Sequence, residues 1–220
     1  MSKSPMTETG AQALRWLIHL RREPFSMAFT LFQPVILLVF MGGAFQALAR
    51  DIGGGDYRTY LLAGILGLTI FGNSLAGGVS LLFDKESGFL SRLLSTPISR
   101  TSILVGRFVA VNLATLLQSL LMLLLGLLFG VQIVAGLGGW VAILMLGLLL
   151  GFGITLISLI LAFVVESHGD FFAIVGISAL PLTFLSSAFV PLEMLPLWMK
   201  VVAWANPMTY GIDGMRSLIL

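Results

Sequence analysis

Long runs of apolar residues, separated by short polar segments, make up most of this 220-residue chain. Five runs contain no charged residue and reach the length of about 20 residues that a helix needs to cross the bilayer core. They cover approximately residues 25–48, 59–83, 108–135, 137–165 and 171–192. They are too long and too rich in leucine for the alternating strands of a membrane β-barrel. The pattern predicts an all-α, polytopic membrane protein with five full spans.

The distribution of basic residues predicts the orientation of these spans. With the N-terminus in the cytoplasm, the inner segments contain eight Lys and Arg residues and the outer segments four, which is the favoured arrangement. Residues 1–24 would then carry an amphipathic interface helix on the cytoplasmic side of a plasma (inner) membrane, and residues 25–220 would form the transmembrane domain. Residues 193–220 contain too many charges and prolines to cross, so we expect an outer re-entrant or interfacial segment there.

The composition excludes several classes of function. Hydrophobic residues make up 58% of the chain and charged residues 10%, whereas a soluble domain carries about a quarter charged residues. The twelve Lys and Arg against ten Asp and Glu form no dense basic patch, so a nucleic-acid partner is not expected. The sequence contains no phosphate-binding loop for ATP and no ionisable residue within a span. A transporter with this sequence would take its energy from a partner, and we expect no cofactor in this chain.

One compact polar segment, FDKESGFLSRLLSTPISR at residues 83–100, separates the second and third spans. A helix from Asp84 to Ser95 would place Phe89, Leu90, Leu93 and Leu94 on one face, with Glu86 unexpectedly on the same side. Thr96-Pro97 would end that helix. The segment is either a solvated loop resting on the membrane or a docking element for a protein partner, and the residues alone leave both interpretations open.

Two other features suggest chemistry weakly. The turn VVESHGDFF brings Glu166, His168 and Asp170 together, as a metal or acid–base site would require, but polar residues are expected at a short turn between spans. An integral membrane enzyme acting on a lipid-borne substrate and an ion-coupled secondary carrier are the alternative functions. The polar or helix-breaking exceptions within the spans are interpreted mainly as packing residues: Gln33, Pro34, Asn73, Asn112, Gln118 and Pro181.

Two segments together resemble the permeases of type 2 ATP-binding-cassette transporters, a family that exports drugs and polysaccharides. DKESGFLSRLLSTPISRTSILVGR, at 84–107, is similar to the family's inner loop, with an acidic-basic pair, Gly-x-Leu, Leu-Leu, Pro-x-Ser-Arg and Gly-Arg. PLTFLSSAFVPLEMLPLWMKVVAWANPMTYGIDGMR, at 181–216, is similar to its fifth span, outer helical segment and Asn-Pro-x-Thr-Tyr element. The resemblance covers nearly the whole chain.

The resemblance implies six spans with both termini inside. This chain holds five of them and reaches Leu220 without the sixth. We therefore expect a fragment or a truncated gene. It implies a dimer of permease chains in membrane lipid, bound to two cytoplasmic ATPase subunits that use ATP and Mg²⁺. The coupling loop, 84–107, would contain the coupling helix, with coupling residues Asp84, Glu86, Gly88, Phe89, Arg92, Leu93, Leu94, Pro97 and Arg100. The outer gate region would contain Asn206, Pro207 and Tyr210.

Overall fold

A computed structural model describes residues 24–46, 57–95, 100–131 and 133–220. The expected N-terminal interface helix, before residue 24, lies outside the described residues. The same holds for Pro97 and for the side chains of Leu93, Leu94 and Arg100 among the predicted coupling residues.

Within those ranges the chain is helical and contains no strand, so the prediction of an all-α membrane protein is confirmed. The helices are α1 Pro24–Ala44, α2 Tyr57–Glu86, α3 Phe89–Leu94, α4 Arg100–Leu128, α5 Gly136–Val164, α6 His168–Phe184, α7 Leu197–Ala205 and α8 Pro207–Ile219, with a 3-10 turn at Leu192–Met194. In the part of the chain that the structure describes, α2, α4 and α5 are long and apolar enough to cross a membrane, and α1 and α6 contain shorter apolar stretches.

The observed boundaries differ from the predicted ones at four main places. Helix α4 ends at Leu128, where the predicted span reached 135. The helix expected from Asp84 to Ser95 is broken, because α2 continues to Glu86 and the chain turns at Gly88, whose φ of 70° is a left-handed conformation that favours glycine. Helix α4 begins at Arg100, so residues 100–107 of the predicted coupling loop form its first two turns. Helix α6 ends at Phe184, where a continuous span to 192 was expected.

Helix α2 lies at the centre of the bundle and contacts α1, α3, α4, α5, α6 and α8. Helix α4 runs antiparallel to it, because Arg107 near its start meets Asp84 and Gly126 near its end approaches Leu62. Helix α5 runs parallel to α2, since the backbone N–H of Gly78 donates to the hydroxyl of Ser158 at 3.1 Å, well beyond the start of both helices. The bundle therefore has two ends, which we call the Tyr57 end and the Glu86 end.

Helix α8 turns back into the bundle instead of lying on its surface. It packs antiparallel to α5, with Gly211 near Leu150 and Gly214 near Leu146, and it also contacts α2. Its inward side chains are buried almost completely: Met208, Ile212, Met215 and Ile219. Helix α7 exposes most of its side chains. Because Asn206 at the corner between α7 and α8 is buried and Arg216 lies beside Tyr60, α8 runs from the interior of the bundle to the Tyr57 end.

Candidate functional site

Three consecutive charged residues, Asp84, Lys85 and Glu86, form the last turn of α2 at the Glu86 end. Successive residues of a helix point about 100° apart, so three neighbours in sequence can reach three different partners around the axis. Each of these side chains contacts a different helix of the bundle. We call the three residues, with the partners described below, the charged anchor.

Asp84 pairs with Arg107 in the second turn of α4, at 2.6 Å between a carboxylate oxygen and Nη2. The arginine side chain is 6% exposed and the aspartate side chain 29% exposed. A charged group as buried as this guanidinium needs an opposite charge to offset its loss of hydration. The pair therefore fixes the start of α4 to the end of α2.

Lys85 interacts with the C-terminus of α5. Its Nζ donates to the carbonyl oxygens of Val165 at 2.8 Å and Phe163 at 3.3 Å. The last carbonyls of a helix lack partners within the helix and carry the negative end of its dipole. The ammonium group of Lys85 donates hydrogen bonds to these carbonyls and also places a positive charge at the negative end of the dipole.

Glu86 interacts with the N-terminus of α6. One carboxylate oxygen accepts from the backbone N–H of His168 at 3.0 Å, and the other lies 2.5 Å from Nδ1 of the same residue. The first N–H groups of a helix are free to bind an acceptor, and negative charge is favoured there. This contact gives a structural reason for a glutamate at position 86, which the sequence had placed unexpectedly among apolar residues.

The acidic turn before α6 is organised around the same contacts. Ser167 caps the helix, accepting from the N–H of Asp170 at 3.2 Å and donating to its carboxylate at 2.8 Å. The ring of His168 packs on Phe83, with 4.0 Å between the ring centroids. Among the described residues there is no group of three or more side chains suited to bind a metal. The contacts of Ser167, His168 and Asp170 hold the start of α6 in place.

The short helix α3 follows the turn at Gly88 and is only partly exposed. Leu90 packs against a small core at the Glu86 end that includes Leu82 and Phe171, while Phe89 is half-buried. Ser91 and Arg92 are exposed. The sequence grouped Leu90 with Phe89 on one apolar face, and Leu90 packs inward against the core at the Glu86 end.

At the Tyr57 end, the non-helical segment 185–190 follows α6 and passes through the interior, where Ala188 is fully buried. Backbone groups away from water need hydrogen-bond partners. Side chains of α2 supply two of them. The hydroxyl of Tyr57 donates to the carbonyl of Phe189 at 2.8 Å, and that of Tyr60 donates to the carbonyl of Ser187 at 3.1 Å.

Arg216 of α8 is buried beside the same segment. Its Nη2 donates to the carbonyl of Ser187 at 2.6 Å, and its Nη1 pairs with Asp213 at 2.6 Å. The guanidinium carbon lies 3.8 Å from the centre of the Tyr60 ring, a cation–π arrangement. One arginine thus joins α8, α2 and the non-helical segment.

Asn206 forms the corner between α7 and α8. Its side-chain oxygen accepts from the N–H of Met208 at 3.0 Å, which caps α8, and Pro207 occupies the first helical position. Its Nδ2 donates to the carbonyls of Leu182 at 2.7 Å and Leu185 at 3.0 Å at the end of α6. Of the predicted gate residues, Asn206 is therefore a buried joint between three helices.

Tyr210, the third predicted gate residue, is 64% exposed. Its hydroxyl donates to the carbonyl of Trp204 at 2.6 Å, so it fastens α8 to the end of α7 from the outside of the corner. The Asn-Pro-x-Thr-Tyr element is thus one compact turn, with its asparagine inside and its tyrosine outside.

A cavity of about 330 Å³ lies at the Tyr57 end, beside the buried guanidinium. The carboxylates of Glu193 and Asp213 both line it, together with Tyr60, Pro191, Leu192, Arg216, Ser217 and Leu220.

Sequence reasoning missed the residues that join the helices. Lys85 and Arg107 were used as evidence for orientation and as parts of the inner-loop motif, and Arg216 as an outer basic residue that interrupts the last segment. One local signal was available, since Asp213 and Arg216 are three residues apart and face each other on a helix. Nothing in the sequence indicated that Tyr60 would lie beneath that arginine.

The polar residues within α2 and α4 behave mainly as packing residues. Asn73 donates a short hydrogen bond to the side-chain oxygen of Gln118, which joins the two helices near their middle. Asn112 donates to the carbonyl of Phe108 on its own helix at 2.9 Å.

Comparison with known proteins gives a consistent result. The family model described as "ABC-2 type transporter" matches residues 8–220. The chain is 34% identical to a transport permease named ycf38 of Cyanophora paradoxa, over 93% of this chain and 71% of that protein. It is 25% identical to the daunorubicin resistance ABC transporter permease protein DrrB1 of Streptomyces coeruleorubidus, over 93% of this chain and 72% of that protein. With the doxorubicin resistance permease DrrC of Mycobacterium tuberculosis the identity is 26%, over 98% and 78% of the two chains.

Proposed function

The chain belongs to the ABC-2 type transporter family, and from this premise we propose that it is the membrane-spanning permease subunit of an ATP-binding-cassette exporter. It forms the substrate path in the cell (inner) membrane, with its N-terminus in the cytoplasm, together with a second permease chain. Relatives named for daunorubicin and doxorubicin resistance support an export role. ATP hydrolysis, with its Mg²⁺, takes place in a separate cytoplasmic ATPase subunit.

The ATPase subunit docks on the part of the coupling loop around α3, at the Glu86 end of the bundle. The observation that carries this assignment is the charged anchor, which ties the end of α2 to the ends of α4, α5 and α6. A force applied at α3 reaches all these helices through short, charge-assisted contacts. A loop that only rests on lipid transmits no force and would not require such contacts.

In the transport cycle, ATP binding draws the ATPase subunits together and moves the two coupling turns with them. The helices attached to each turn then tilt as a unit, and the path opens toward the opposite side. A change of this kind requires that ATP binds one arrangement of the complex more tightly than the other.

An enzyme acting at the acidic turn is less well supported. His168 is engaged by Glu86, and Asp170 is engaged by Ser167, so both potential acid–base groups hold the start of α6 in place. Glu166 is exposed on the turn. Transport and ATP hydrolysis that persist in a Glu166→Ala, His168→Gln, Asp170→Asn variant would eliminate the enzyme interpretation.

A charge reversal on α3 tests the proposed docking. Arg92→Glu changes an exposed side chain that makes no contribution to the core, and we expect co-purification of the ATPase subunit to fall about tenfold, because like charges across an interface disfavour binding. Lys200→Glu on α7 is the matched control, since it reverses one charge at the other end of the bundle and should leave co-purification unchanged. Equal retention of the ATPase by both variants would refute docking through this turn.

The orientation is tested separately with single cysteines, since the chain contains none of its own. Ser91→Cys should react with a membrane-impermeant maleimide only when the cytoplasmic face is open to the reagent. Labelling of this cysteine in intact cells would place α3 outside and overturn the proposal.

A further inference from the structure

We propose that Asp84, Lys85 and Glu86 act inside the permease chain, as positioning residues that transmit movement from α3 to α4, α5 and α6, rather than as contacts to the ATPase subunit. This inference rests on the proposed function and refines it. The resemblance had assigned Asp84 and Glu86 to coupling without distinguishing a docking role from an internal one.

The partners of the three side chains identify the internal role. Each charge contacts a group of opposite charge or partial charge on another helix: a guanidinium on α4, the carbonyl end of α5 and the N–H end of α6. The two helix-end contacts also agree with the direction of the helix dipoles. Charges placed for a protein partner would instead have their hydrogen-bonding groups directed at solvent.

Burial supports the same conclusion. The guanidinium of Arg107 is nearly enclosed, and the carboxylate of Asp84 is its ion-pair partner at 2.6 Å. For Asp84 to bind an outside protein instead, it would have to give up its ion pair with this buried guanidinium, which is unfavourable. Arg92, which lies on α3 and is exposed, carries no such constraint.

Helix α6 connects the charged anchor with the Tyr57 end of the bundle. Helix α6, which starts at the Glu86 contact, ends where Asn206 binds the carbonyls of Leu182 and Leu185. Asn206 caps the start of α8, and α8 holds Arg216 beside the cavity. Movement of α3 is thus carried along α6 to the segment 185–190 and the cavity at the Tyr57 end.

The test uses charge exchange within the pair of Asp84 and Arg107. Asp84→Arg and Arg107→Asp each place like charges together, whereas the double variant restores an ion pair in reversed order. The readout is the rate at which a maleimide labels Glu193→Cys, an exposed position lining the distant cavity, measured with and without ATP and Mg²⁺ in the reconstituted complex. This readout requires no knowledge of the substrate.

We expect each single variant to retain the ATPase subunit and its hydrolysis, while the ATP-dependent change in labelling falls about tenfold, in the range of ordinary coupling energies. The double variant should recover most of that change. A single variant that keeps the full ATP-dependent change, a double variant that stays defective, or a parent Glu193→Cys chain that shows no change with ATP would each overturn the inference.

Two controls separate this result from other failures. If Asp84 contacts the ATPase directly, Asp84→Arg loses co-purification and Arg107→Asp in the same chain does not restore it. If the unexchanged chain retains no ATPase at all, the proposed function fails first. Should a single reversal not fold, Lys85→Met leaves the ion pair intact and removes only the α5 contact; the inference then requires the same loss of ATP-dependent labelling.

Discussion

Replacing Gly64 by alanine should destabilise the bundle, although the same change usually stabilises a helix. Gly64 lies on α2 against the segment 185–190, and a Cβ added there would stand 1.9 Å from the carbonyl oxygen of Ala188 and 2.7 Å from its carbonyl carbon. These are backbone atoms, so no side-chain rotation relieves the overlap. The segment must retreat by roughly 1.5 Å before the contact becomes ordinary, in an interior that is close-packed.

The magnitude follows from three contributions. Alanine in place of glycine favours the helix by about 1 kcal/mol. Overpacking costs about 1–3 kcal/mol, and a displaced segment weakens the hydrogen bonds from Tyr57 and Tyr60, each worth about 1 kcal/mol. We expect a net loss of about 2 kcal/mol, which for a chain of this size corresponds to a melting temperature lower by about 6 °C.

Gly72→Ala is the matched control, because Gly72 lies on the same helix and a Cβ there meets nothing within 4 Å. It should raise the melting temperature by about 3 °C through helix propensity alone. Both variants are compared with the parent protein by thermal unfolding in detergent, followed by tryptophan fluorescence and circular dichroism. A Gly64→Ala protein as stable as Gly72→Ala would refute the close approach of segment 185–190 to α2.

Three further changes test the Tyr57 end and the core. Arg216→Met should cost about 3 kcal/mol, because it removes the hydrogen bond to Ser187 and the cation–π contact with Tyr60, whereas Arg216→Lys should retain part of the stability. Equal melting temperatures for the two variants would contradict a role for the planar guanidinium. Asn206→Ala should cost about 2 kcal/mol and Asn206→Ser about half as much, since serine can cap α8 but cannot donate to both carbonyls of α6. Equal denaturation midpoints for the two variants would contradict the role of Asn206 in joining α6 to α8. Thr155→Val should be neutral or stabilise the protein by about 1 kcal/mol, because the Thr155 hydroxyl is fully buried and has no hydrogen-bond partner among the described residues. A loss above 1 kcal/mol would show that the hydroxyl does have a hydrogen-bond partner.

Local pattern predicted much of the fold. The apolar runs located α2, α4 and α5 within a few residues at most of their ends, because a helix in lipid must be long and apolar whatever it packs against. The start of α4 was placed eight residues too late, since its first two turns are polar and lie at the Glu86 end. The break at Gly88 was not predicted, because a glycine is compatible with both a helix and a turn.

The sequence by itself determined that the chain is a helical membrane protein, and it located the polar turn between the second and third spans. Those properties depend on the hydropathy of contiguous residues. Tertiary structure alone decided that Asp84, Lys85 and Glu86 contact three different helices and that Arg216 reaches Tyr60 and Ser187. The reason is physical: a buried charge is stable only beside its partner, and partners that lie about 80 or 150 positions away in sequence meet only when the helices pack.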